Sequence, residues 1–176
     1  MSPRVVATHV WPSDMGEPVS VDTLDIDWGG PVGDRHHGEL MASDTRQSKV
    51  FPRGTTIRNH RQLSIVDTNE LAQIADALGI PRIEPGIIAD NICTEGIDEL
   101  TSLPRMTRLA FPSGAVIMLG GPNAPCIIAG GLVERSYGSR PEAFPKAAIG
   151  LRGVTGWVEH PGTVRPGDAV TVLPPD

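Results

Sequence analysis

The sequence predicts a mainly β fold of the α+β class, a curved antiparallel β-barrel-like sheet with one clear helix near residues 68–78 and short helical turns. Three observations carry that expectation. Strand-like apolar segments of four to eight residues recur along the chain between turn residues. A single stretch combines helical periodicity with start and stop signals. The chain also holds 20 Gly and 17 Pro, 37 of its 176 residues, well above the usual ~12% but short of the ~25–30% that marks disorder. Many turns between short strands point to a curved or closed β architecture.

In chain order, Arg4–Val10 reads as a strand, and Val19–Ile26 alternates apolar and polar residues as a half-buried strand does. From Gly29 to about Arg61 no period is visible, and the segment is rich in Gly, Pro, His and charge. A connection that long is functional or disordered far more often than neutral. Leu63–Val66 is a short apolar strand. Asp67-Thr-Asn-Glu70 then has the logic of a capping box. Leu71, Ile74, Ala75 and Leu78 follow at helical spacing, and Gly79 and Pro81 end the helix. Further strands are expected at Gly86–Cys93, Met106–Phe111, Ala115–Leu119, Cys126–Ala129, Val154–Glu159 and Ala169–Leu173. Pro112-Ser-Gly114 and Pro161-Gly162 supply turns within two pairs of them, and Gly167-Asp168 a tight turn before the last. Pro141–Ala148 reads as a short helical turn. No repeat, low-complexity tract or linker interrupts the chain, so residues 1–176 are expected to form one domain, long enough to build a core without disulfides.

Charge is more informative in its distribution than in its sum. The net charge is −6 and the sequence pI about 5.3, which argues against general nucleic-acid binding. Asp14 to Asp44 holds eight acids and one cation, Arg35, whereas Thr45 to Val66 holds Arg46, Lys49, Arg53, Arg58 and Arg61 and no acid. Concentrated in an acidic protein, these cations form a candidate anion site, and Arg is the residue suited to bidentate phosphate or carboxylate contacts. The longest apolar run, around Ala115–Gly121, is far below the ~20 residues of a membrane span. The N-terminal segment has no signal-peptide pattern. Two cysteines, Cys93 and Cys126, make no disulfide framework, and the expectation is a cytoplasmic protein with reduced thiols.

Four constellations offer chemistry. Gly33-Asp-Arg-His-His-Gly38 places two histidines and an acid in a glycine-bounded loop; with His60 these groups could serve a metal-dependent hydrolase, or the loop orients a ligand. Gly120-Gly-Pro-Asn-Ala-Pro-Cys126 puts a thiol beside a turn. If that thiol is functional it should be half-exposed, thiolate in character and near the cations of the 46–61 segment. Pro85–Cys93 carries Asp90 and Asn91, the latter with the donor and acceptor needed to read a heterocycle edge, while Cys93 reads as core. Arg152-Gly153 precedes a strand–turn–strand segment ending at Asp168, and Arg152 could reach an anion.

Taken in order, several of these pieces resemble a MOSC domain, named for the C-terminal part of molybdenum cofactor sulfurases. The resemblance rests on Gly33-Asp34-Arg35, Arg61-Gln62-Leu63-Ser64-Ile65 before the helix, Asn91-Ile92 after it, Leu119-Gly120, Pro125-Cys126, and Arg152-Gly153 leading to His160-Pro-Gly-Thr-Val-Arg-Pro-Gly-Asp168. It covers roughly residues 18–174, the pattern of a small stand-alone bacterial-type member. It implies association with the molybdenum cofactor, a pterin carrying a dithiolene and a terminal phosphate. Cys126 would be the catalytic position, as molybdenum ligand or as acceptor and carrier of sulfur. Asn91 and Arg61 would lie at the pterin pocket, with Asp34 and Arg35 near its rim; Arg58 of the basic segment and Arg152 join them as cofactor-binding candidates on their charge. Reaction types implied are cofactor sulfuration and reduction of N-hydroxylated compounds. Pyridoxal phosphate enters only at family level, through a separate cysteine desulfurase, and a reductase would need a separate electron-transfer protein because no cysteine cluster is present. The Arg that amidoxime-reductase-related members carry two positions before the matching Asn is Ala89 here. A cofactor-free binding or scaffold module is the alternative.

Overall fold

Strand pairing organises the molecule around one large sheet. The computed structural model describes residues 2–175. Its strands are β1 (Arg4–Val10), β2 (Val19–Ser20), β3 (Leu24–Asp27), β4 (Gly30–Pro31), β5 (Leu40–Ala42), β6 (Thr56–Arg58), β7 (Leu63–Asp67), β8 (Ile92–Glu95), β9 (Arg108–Ala110), β10 (Val116–Pro122), β11 (Val154–His160), β12 (Gly162–Val164) and β13 (Thr171–Leu173). The helices are α1 (Thr68–Leu78), α2 (Ile127–Tyr137) and α3 (Ala143–Ala147). Eight strands run in the order β13-β9-β10-β11-β7-β8-β1-β2; β12-β3-β4 and β5-β6 form two smaller sheets. Every pair in the large sheet is antiparallel except β7–β8, which is parallel and bridged by α1. The sheet curves but does not close into a barrel. Near Val5 the chain exchanges backbone hydrogen bonds with Gly167 and Asp168, and Arg4 makes one isolated bridge to Ala169, so the two ends approach without forming a ladder.

The period of two along β7 and β8 divides the core. Leu63 and Ile65 on β7 and Ile92 on β8 face one apolar cluster inside the curve, with Leu109, Ile117, Leu119 and Val158. Val66 and Cys93 point the other way, into a second cluster with Leu71 and Ile74 of α1, Ala129 and Val133 of α2, and Phe144 of α3. All five β7 residues are buried, as expected for a strand covered on both faces.

Helix α1 matches the expected boundaries. Asp67 caps it by accepting from the Asn69 N–H, and Gly79 closes it in the left-handed region at φ 66°. The capping box is only half made. Glu70 turns inward instead and accepts from both the N–H and the hydroxyl of Thr101, at 2.8 and 2.7 Å. Burial pushes its carboxyl above the usual range.

Several strand expectations are shortened: Val19–Ile26 breaks into β2 and β3, and Gly86–Cys93 is a turn until Ile92. Pro112-Ser-Gly114 does join β9 to β10, but Pro161-Gly162 sends the chain from β11 into β12, which pairs with β3, while β13 pairs with β9. The larger correction concerns Cys126–Ala129, expected as a strand. It is the start of α2. Ile127, Ile128 and Val133 are β-branched and Gly130-Gly131 interrupts the helix, so local propensity opposes it. Docking overrides propensity: a Cβ on Gly130 would lie 2.3 Å from the Pro141 carbonyl oxygen, so the glycine is what lets α2 meet the chain entering α3.

Candidate functional site

One cavity of about 510 Å³ gathers most of the candidate residues, within the ~300–1,000 Å³ usual for small-molecule sites. Its floor comes from β7 and the turn before β8, through Leu63, Ser64, Ala89 and Asn91. One wall is Arg61, Asn123 and Thr155, another is the start of α2 with Cys126, Ile128 and Ala129, and Arg152 reaches in from the segment before β11. Leu40, Met41, Asp44 and Arg46 of the β5–β6 flap complete it, with Trp11, Arg35, His36 and His37 at the far side.

Arg152 is the least satisfied group in this site. The residue is 5% exposed. One terminal nitrogen donates to the Ile88 carbonyl, whereas Nε and Nη1 have no hydrogen-bond partner among the described residues. Burial pulls its guanidinium below the ordinary value, and the fully buried Asp90 works in the opposite direction. Asp90 itself is pushed up by burial; its two oxygens accept the Gly86 N–H at 2.9 and 3.0 Å. Leaving two guanidinium donors unmade in a dry wall is costly, and both belong to a side chain that lines the cavity.

Arg61 is held differently. Its Nη2 donates to Asn123 Oδ1 at 3.0 Å and Nη1 to the Thr155 hydroxyl at 3.5 Å. Burial first, then the like charges of Arg46 and Arg152, lower its guanidinium value, with Asp44 and Cys126 opposing. Cys126 is close enough to Arg61 and Arg152 to act electrostatically on both. Among the lining residues Asp44 is the one carboxylate, and it is paired with Arg46. The cavity is therefore cationic inside a protein of net charge −6.

Cys126 is half-buried and stands at the N-cap of α2 without a side-chain cap for the first-turn N–H groups, so the positive end of the helix meets the cavity at the sulfur. Cys93, by contrast, is fully buried in the second core cluster, and burial, followed by the charges of Asp90, Asp67 and Glu95, pushes its thiol far up.

The other expected residues divide by role. Asn91 lines the cavity, but its amide is engaged in the walls: Oδ1 accepts from Ser64 N–H at 3.0 Å, and Nδ2 donates to Asp34 Oδ2 at 2.9 Å and to the His9 carbonyl at 3.3 Å. Asp34 is buried behind it and is not part of the lining. It accepts from the Trp11 and His36 N–H groups and the His36 ring. Burial raises its carboxyl, but these bonds together hold it below the usual range. Arg35 stacks over the Trp11 ring at 3.8 Å and donates to the Pro12 and Met15 carbonyls. Arg58 stands on β6, exposed, paired with Glu39 at 3.1 Å, and outside the lining. The histidines do not converge: His36 pairs with Asp34, His37 with Asp27, and His60 approaches the Arg58 carbonyl. Among the described residues no group of three or more His, Cys, Asp or Glu side chains could hold a metal ion.

Four contributors escaped sequence reasoning. Trp11 and Thr155 carry no local signal, and the helix N-terminus was hidden by its strand-like composition. Arg46 lay within the basic segment but was indistinguishable there from Lys49 and Arg53.

The sequence profile described as MOSC domain matches residues 33–171. The YuaD protein of Bacillus subtilis (strain 168), whose name provisionally places it in metal–sulfur cluster biosynthesis, is 41% identical over 155 residues, 86% of this chain and 80% of that protein. A crystal structure of YuaD from Bacillus subtilis superposes with a TM-score of 0.93 at 36% identity, covering all of this chain and 98% of that one. The YiiM structures from Geobacillus stearothermophilus and Escherichia coli share the fold, with TM-scores of 0.67 and 0.62 at 14% and 16% identity, and cover 97% and 100% of this chain and 75% and 71% of theirs. No helix among the described residues is long and apolar enough to cross a membrane.

Proposed function

This chain belongs to the MOSC domain family, and from that premise we propose that the cavity around Cys126 binds the molybdenum cofactor, with Cys126 as molybdenum ligand or as acceptor and carrier of transferable sulfur. The observation that carries the reading is the pairing, in the lining of one cavity, of a half-buried thiol with a buried guanidinium whose Nε and Nη1 lack a partner among the described residues. A soft thiolate suits a soft, sulfur-rich metal centre, and the terminal phosphate of a pterin cofactor is the kind of acceptor those two donors lack. The residues present therefore fit the group.

In this reading Cys126 would hold the metal or the sulfur, Arg152 and Arg61 would hold the anionic part, and the start of α2 would add its positive end. Bound there, the cofactor would supply two-electron redox chemistry at molybdenum. Asn91 and Arg35 line the cavity with their polar groups engaged elsewhere, and Asp34 stands one layer back: Asn91 ties β7 to the turn carrying Ala89, Asp34 fixes Asn91, and Arg35 braces Trp11. Where amidoxime-reductase-related members carry an Arg, Ala89 leaves room, and Arg152 is anchored on the neighbouring Ile88 carbonyl. Arg152 thus brings a guanidinium to this turn from another segment.

Between the two roles, the name of the YuaD relative favours the carrier, which accepts sulfur and delivers it without turnover. Pyridoxal phosphate would stay with a separate cysteine desulfurase, and a reductase would draw on a separate electron-transfer protein; the whole chain works as one cytoplasmic MOSC unit. The test is the molybdenum and pterin content of anaerobically purified wild type and Cys126→Ala from a host that makes the cofactor. Near-stoichiometric molybdenum in wild type and its loss in the variant are expected. Equal retention in both would refute the ligand role, and no molybdenum or pterin in wild type would refute cofactor binding.

A further inference from the structure

We propose that Cys126 takes sulfane sulfur directly from a small oxyanion donor of the thiosulfate class, which makes the cavity an anion-selective sulfurtransferase site. The inference rests on the reading of Cys126 as sulfur acceptor and adds the donor's chemistry. Two independent features point to an anion rather than to a neutral or cationic partner. The first is Arg152, a cavity-lining residue only 5% exposed, whose buried Nε and Nη1 lack any acceptor among the described residues. The second is the uncapped N-terminus of α2, an eleven-residue helix that opens on the cavity at Cys126 itself. Arg61 and Arg46 add charge, and the one lining carboxylate, Asp44, is already paired.

A sulfonate group offers several oxygens to the planar fork of a guanidinium. Held by Arg152 and the helix end, it leaves the outer sulfur of thiosulfate to face Cys126. The Cys126 thiolate attacks that outer sulfur. A new S–S bond forms, the S–S bond of thiosulfate breaks, and its electron pair leaves on sulfite. The product is a Cys126 persulfide anion, with no outside oxidant or reductant. A second nucleophile then takes the outer sulfur, as cyanide does to give thiocyanate, and the thiolate returns. The Arg152 guanidinium and the helix end hold the sulfonate throughout and receive the charge of the departing sulfite. A cavity of about 510 Å³ leaves room for both the donor and the group that accepts the sulfur.

The test incubates the full chain with thiosulfate and cyanide, follows thiocyanate, and weighs the Cys126 peptide for one added sulfur. Wild type and Cys93→Ala should turn over alike, and Cys126→Ala should not. Arg152→Gln and Arg61→Gln should each lose at least about tenfold in kcat/KM, the size of a lost charge-assisted hydrogen bond. Alkylation of Cys126 by neutral iodoacetamide should persist in both, which separates a recognition defect from misfolding. Sulfate should compete with thiosulfate on wild type, where chloride at equal ionic strength does not. Absence of a Cys126 persulfide in a chain whose Cys126 is alkylated would overturn the proposal, and so would turnover indifferent to both sulfate and Arg152→Gln. A persulfide formed only from a desulfurase, never from thiosulfate, would assign the donor to a protein and overturn it as well. Molybdenum retention is measured separately, so either reading can fail while the other stands.

Discussion

The two cysteines of this chain meet the same apolar cluster, Cys93 inside it and Cys126 at its edge, and have opposite surroundings. Cys93 is on β8, fully buried among Val66, Leu71 and Ile88, with three carboxylates as its nearest charges. Cys126 is half-buried at the start of α2, beside two arginines and a helix N-terminus. Nothing in the residue type distinguishes them; the fold makes one a small apolar core residue and leaves the other reachable from a cationic cavity. The contrast teaches that reactivity in this protein is a property of position, set by what β8 and α2 carry to each sulfur.

The sharpest way to break that comparison is to count reactive thiols. Native protein treated with iodoacetamide should modify one cysteine per chain quickly, and the second only after denaturation. Cys126→Ala should abolish the fast phase and Cys93→Ala should leave it intact, read by peptide mass spectrometry. A fast phase surviving in Cys126→Ala would show that the core around Cys93 opens, and the comparison would fail.

A second way is to remove the charge that makes the Cys126 side cationic. Arg152 and Asp90 feel each other's charge, both buried. Arg152→Met should cost about 1–3 kcal/mol in urea unfolding, because buried Asp90 loses one of the two charges that offset it, the other being His9 at 3.8 Å. Adding Asp90→Asn should recover most of that loss, since the amide still offers an oxygen to the Gly86 N–H. Additive losses in the double variant would mean that the two charges act independently.

How much of this was legible beforehand follows from the range of each signal. Helix α1 was readable because its caps and its apolar stripe are local, from Asp67 to Gly79. Cys126, Arg61, Asn91 and Arg152 were named from ordered motifs, and all four line one cavity. The roles within it were not readable. Asn91 offers a donor and an acceptor in isolation, but the fold engages both in the walls. Arg58 belongs to the basic segment by sequence and to a salt bridge with Glu39 on the flap by geometry. The parallel pairing of β7 with β8 and the open edges of the sheet depend on which strands meet, and short strands of similar composition do not specify that.

The most instructive failure is α2, and two neighbouring glycines sharpen it with the smallest effects. Gly130 and Gly131 look equivalent as helix breakers in the sequence. In the fold a Cβ on Gly130 would meet the Pro141 carbonyl at 2.3 Å, whereas one on Gly131 would meet nothing within 4 Å. Gly130→Ala should therefore push α2 away from the chain entering α3, costing about 1–3 kcal/mol and slowing iodoacetamide at Cys126 as the helix start moves. Gly131→Ala should do the reverse, adding about 0.5–1 kcal/mol because alanine loses less backbone freedom in a helix, with the Cys126 rate unchanged. Equal effects from the two substitutions would mean that contact with Pro141 does not hold the helix, and that the position of Cys126 is set from elsewhere.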